Sequence, residues 1–67
     1  MSSELLDIID IAERAIARYG RGAAEIMEAR ARSLESFGER EGATMSHQVA
    51  MAIREIERGR RHPGRSK

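Results

Sequence analysis

SELLDIIDIAERAIARYGRG, residues Ser3 to Gly22, is the stretch on which the fold turns. At about 100° per residue, Leu5, Ile8, Ile9, Ala12, Ala15, Ile16 and Tyr19 fall within one arc of about 120°. The acids Glu4, Asp7, Asp10 and Glu13 lie outside it, together with Arg14 and Arg18. This is the pattern of an amphipathic helix over residues 3–19. Ser3 supplies a cap at its start, and acids in the first turns suit the positive end of the helix dipole. Asp10 and Arg14 form an acid-first i,i+4 pair worth ~0.3 kcal/mol. Gly20 stops the helix, and Gly20-Arg21-Gly22 predicts a tight turn into a second, antiparallel helix.

Beyond that turn, glycine punctuates the rest of the chain at Gly38, Gly42, Gly59 and Gly64. The segments between are rich in Ala, Glu, Arg, Ile, Leu and Met, residues that favour helix. They predict a second helix over about 23–37 and a third over about 44–58, opened by Thr44 or Ser46. Alternating apolar and polar runs are missing, so no strand is expected. The expected fold is an all-α, small three-helix domain over residues 1–58. Helices 1 and 2 form an antiparallel hairpin, helix 3 packs across it, and residues 59–67 make a disordered basic tail.

A chain of 67 residues buries only about 60% of its unfolded surface, so its own core gives marginal stability. Disulfides, a metal or association are the usual remedies. Cysteine is absent. The two histidines, His47 and His62, lack metal-ligand spacing, so neither a metal nor any other cofactor is expected. Association remains, with itself as a homodimer or with another protein. The start does not read as a signal peptide and no apolar run approaches membrane-spanning length, which makes a cytoplasmic protein the expectation.

Four residues stand apart as candidate contacts with a partner. Leu6 and Ile11 flank the stripe of helix 1 on either side, which suggests a helix touched from more than one direction. In helix 3, Met45, Val49, Ala52, Ile53 and Ile56 share an arc, and Met51 lies almost opposite it as adaptable contact surface. In helix 2, Ala23, Ile26, Met27, Leu34 and Phe37 share an arc with Arg30 inside it. An unpaired guanidinium is costly to bury. Either helix 2 packs off-centre and Arg30 covers the core edge with its methylenes, or Arg30 meets an acid such as Asp10 or Glu13 across an interface and fixes register.

The formal net charge of +1 hides a polarity along the chain. The first thirteen residues hold four acids and no base, and the last ten hold Arg58, Arg60, Arg61, Arg65 and Lys67 with no acid. These five bases are the candidate nucleic-acid contacts of an alternative reading, a DNA-binding regulator. Leu34 to Arg58 bears a faint helix-turn-helix pattern, with Thr44, Ser46, His47 and Gln48 opening a second helix. Gly38 and Gly42 interrupt it, and Glu39 and Glu41 set acids in the turn. No enzyme is expected. Ser46 and His47 point about 100° apart on a helix and cannot serve each other, and no phosphate-cradling loop is present. The favoured function is a small non-enzymatic interaction or regulatory protein.

Overall fold

A computed structural model of the chain describes residues 3–61, with side chains described over 7–59. Helix and turn account for these residues, with no strand among them. Helix α1 spans Ser3–Tyr19, a single 3-10 turn covers Gly20–Gly22, α2 spans Ala23–Ser36 and α3 spans Arg40–Arg61. Helix 1 has the bounds its sequence predicts. Gly20 ends it with φ 71°, a left-handed conformation that L side chains resist.

The second stop is a complete Schellman motif. Gly38 takes φ 81°, its amide donates to the Glu35 carbonyl at 3.0 Å, and the Glu39 amide donates to the Leu34 carbonyl at 2.8 Å. These bonds satisfy carbonyls that the end of a helix otherwise leaves open. Three residues, Phe37 to Glu39, then reverse the chain into α3.

The hairpin is therefore formed by α2 and α3. Leu34 lies against Gly42, while Glu28 pairs with Arg54 much further along α3. Contacts whose positions run in opposite directions define an antiparallel pair. The expected hairpin of helices 1 and 2 is not formed: these two touch little, and each packs mainly on α3. The difference lies in the turns. Gly20 leads straight into helical geometry, whereas Gly38 is followed by Glu39, outside any helix, before α3 begins.

Helix 3 also begins earlier than Thr44. Gly42 sits inside its first turn, where a side-chain Cβ would stand 3.2 Å from Leu34 Cδ1. Its role is close approach between helices, not interruption. Glu41 lies in the first turn, where an acid complements the helix dipole. At the other end α3 continues past Gly59 to Arg61, so the boundary expected at residue 59 falls within a helix. The remainder of the expected tail, residues 62–67, lies outside the described residues.

Ala12 and Ala15 of α1, Ala23, Ala24 and Met27 of α2, and Val49, Ala50 and Ile53 of α3 form one buried cluster. Ile8, Ile16, Ala52 and Ile56 pack around it. Alanine dominates, and the largest side chains fully removed from water are Ile53 and Val49. Small side chains let neighbouring helices approach closely. That close approach has a cost, because each alanine hides little apolar area.

Candidate interaction surface

The alanine core rotates α2 away from the orientation that hydropathy predicts. Ala24 and Ala31 join Ala23 and Met27 on the buried side, Leu34 is half-buried, and Ile26 and Phe37 turn outward. Arg30 is exposed as a consequence. The arginine that seemed to interrupt an apolar face stands beside that face. Phe37 is 78% exposed, the most open of the large apolar side chains described.

Other large apolar groups are likewise exposed in part: Ile9, Ile11 and Tyr19 on α1, and Met45 and Met51 on α3. Of the four predicted contact residues, Ile11 is 37% exposed on α1 and Met51 is 54% exposed on the side of α3 turned from Val49 and Ile53. Arg30 belongs to α2, and the side chain of Leu6 lies outside the described residues. Ile11, Arg30 and Met51 do not gather into one patch, since the packed face of α3 separates Met51 from the other helices.

The sequence pointed to the Arg30-bearing face of helix 2 but placed Ile26 and Phe37 in its core; the structure leaves both outside, on a seam of α2. Ile26, Arg30, Ser33 and Phe37 are all exposed and follow one another at intervals of four, three and four. This is the alternation of the a and d positions of a heptad, so Ile26, Arg30 and Ser33 line one side of α2 and Phe37 follows at its C-cap. Ala29 and Ser36, small and exposed, border it. The alanines at 23, 24 and 31 were the available signal, because a helix with an alanine side can pack closely there and leave its bulk elsewhere.

Some of the charged side chains pair with one another. Arg54 of α3 donates a hydrogen bond to the Glu28 carboxylate of α2 across 26 positions of sequence. That bond holds Glu28 below its ordinary range and raises Arg54 above its own. Arg14 pairs with Asp10 at 3.2 Å, as the i,i+4 spacing predicts, and Arg58 pairs with Glu55 at 3.4 Å. An open groove of about 400 Å³ runs between α2 and α3, lined by Glu28, Ala31, Arg32, Glu35, Ala43, Thr44 and His47. Among the described residues, no group of three or more His, Cys, Asp or Glu is placed to hold a metal.

The helix-turn-helix pattern does not survive in the structure. The turn sits at residues 37–39 and α3 starts at Arg40, so Thr44 to Gln48 do not open the helix. Ser46 is buried and cannot face a base edge. Of the five candidate nucleic-acid contacts, Arg58 pairs with Glu55. Arg60 and Arg61 lie on the last turn of α3 with side chains outside the description, and Arg65 and Lys67 lie outside the described residues. No described helix is long and apolar enough to cross a membrane. Comparison of the chain with protein-family models, with curated proteins and with solved structures finds no match.

Proposed function

We propose that this chain is a small non-enzymatic interaction or regulatory protein, a three-helix domain that works through helix–helix contacts as a homo-oligomer. One observation carries the reading: the usual partition of apolar side chains is reversed. Among the described residues, seven of the ten buried apolar ones are alanine, while Ile9, Ile11, Tyr19, Ile26, Phe37, Met45 and Met51 remain exposed. Exposed apolar residues scattered singly are ordinary, but here Phe37, Met51 and Met45 stand open beside a core made mostly of alanine. A cysteine-free chain of this size gains little from a core of alanines, and covering its outer apolar groups in a second molecule supplies the missing burial.

Sedimentation velocity across nanomolar to high-micromolar chain tests this directly. A shift from monomer to dimer mass is the expected result, and a folded monomer throughout overturns the reading. The DNA-binding alternative rests on α3 running on to Arg61, which extends a helix towards the basic end of the chain. It requires duplex binding that weakens steeply with salt and disappears when residues 59–67 are removed.

A further inference from the structure

We infer that two copies of this chain pair by exchanging α1. The turn at Gly20–Gly22 straightens, residues 3–36 become one helix, and α1 of each copy packs on α3 of the other. The inference rests on the self-association just proposed and gives it a mechanism. Placed on one uninterrupted helix at about 100° per residue, Ile8, Ala12, Ile16, Tyr19, Ala23, Met27 and Leu34 fall within an arc of about 100°. All of them except Tyr19 are buried or half-buried. The apolar stripe of α1 therefore runs on, in phase, into the packed side of α2. Two helices joined by a bend can carry their stripes at any relative angle, whereas a single amphipathic helix requires them aligned.

One residue separates the bent form from the straight one. Gly20 has φ 71°, while Tyr19, Gly22 and Ala23 have φ −107°, −88° and −59°. A Cβ at Gly20 or Gly22 would meet nothing within 4 Å, so no packing pins the turn at these two positions. In the bent chain Ala12 and Met27 share one cluster with Val49 and Ile53. On a straight helix they stand about 22 Å apart, so α1 leaves α3 when the turn opens. Its own α3 cannot follow. Glu28 faces Arg54 and the two helices are antiparallel, so Arg61, at the end of described α3, stands level with Arg21. The surface that α1 vacates, at Val49 and Ile53, is shaped to α1, and a second copy carries that same segment. This is the condition for exchange of an identical element between protomers. Tyr19 and Ile26, which flank the turn and are exposed in one chain, then lie near the two-fold axis, where the second long helix covers them.

The test is sedimentation equilibrium on the full chain and two variants. Gly20→Ala penalises the left-handed turn and favours the continuous helix, each by about tenfold or less, and every dimer holds two such turns. It should therefore lower the dissociation constant about 100-fold. Gly38→Ala makes the same change in the other left-handed turn, which the bent and exchanged forms share, and should leave that constant unchanged. The exchange itself is read as a distance within one chain. Asp7→Cys and Ser33→Cys carry spin labels cleanly in a chain without cysteine, and dilution into unlabelled wild type isolates the intrachain signal. The dimer should show about 39 Å between the two positions, the length of a straight helix over that span, and the monomer a shorter distance. A dimer that keeps the shorter distance, or a Gly20→Ala chain that dimerises no more tightly than wild type, overturns the exchange and leaves self-association standing. A wild-type chain that stays monomeric overturns both.

Discussion

The two sides of α2 are built on opposite plans. Toward α3 it presents Ala23, Ala24, Met27 and Ala31, all buried; on its flank it presents Ile26, Arg30, Ser33 and Phe37, all exposed. The small residues went inside and two of the bulkiest stayed out. Burial in this chain follows the distance at which helices can meet, and hydropathy rank comes second. A side that packs through alanine is rigid and shallow, whereas a side of Ile, Arg and Phe has reach and suits a contact that forms between molecules.

The sharpest challenge to that contrast is one chemical deletion made in two places. Ile53→Ala removes a fully buried side chain and should cost about 3 kcal/mol, within the range for buried Ile to Ala. Ile26→Ala on the seam should cost under about 1 kcal/mol, in thermal melts at chain concentrations where the monomer prevails. Equal losses at the two positions would erase the distinction between core and seam.

Next in size are the two glycines of the hairpin. Gly38→Ala forces a Cβ into a left-handed residue and should destabilise by about 1 kcal/mol. Gly42→Ala meets only a terminal methyl of Leu34, a half-buried side chain able to shift by a few tenths of an ångström. The gain in helix propensity should then leave the variant more stable by about 0.5 kcal/mol. Chemical denaturation of both resolves the signs. A destabilised Gly42→Ala would show that α2 and α3 meet there without slack.

The smallest effect belongs to the polar edge of the packed side. The carboxylate of Glu28 is held below its usual value near 4.5 by Arg54, so its folded pKa is depressed. Its contribution is present in full above the unfolded pKa and is lost as pH falls through the folded one. Glu28→Gln should therefore lower the melting temperature slightly at neutral pH and have a vanishing effect in acid. A deficit that persists below the carboxylate range would assign Glu28 a packing role.

Some of this was legible along the chain because it is decided within a turn or two. The bounds of α1, the stop at Gly20 and the Asp10–Arg14 pair depend on neighbours at most four residues away. So does the outward placing of Met51, once the stripe of Val49 and Ile53 is recognised. Arg30 only seemed to break an apolar face: helix 2 packs off-centre, and the side chain is exposed. The identity of the seam was hidden because Ile26 and Phe37 score as core on any hydropathy ranking.

Helix content, helix ends and the amphipathic character of α1 were settled by the sequence, through propensities and glycine conformations that act locally. Which helices pair, and which side of α2 faces inward, were settled by packing in three dimensions. Glu28 finds Arg54, and Gly42 admits Leu34, only after the chain has reversed at residues 37–39. Alanine's value lies in how near it lets another helix come, and that is a property of the pair of helices, written in neither one alone.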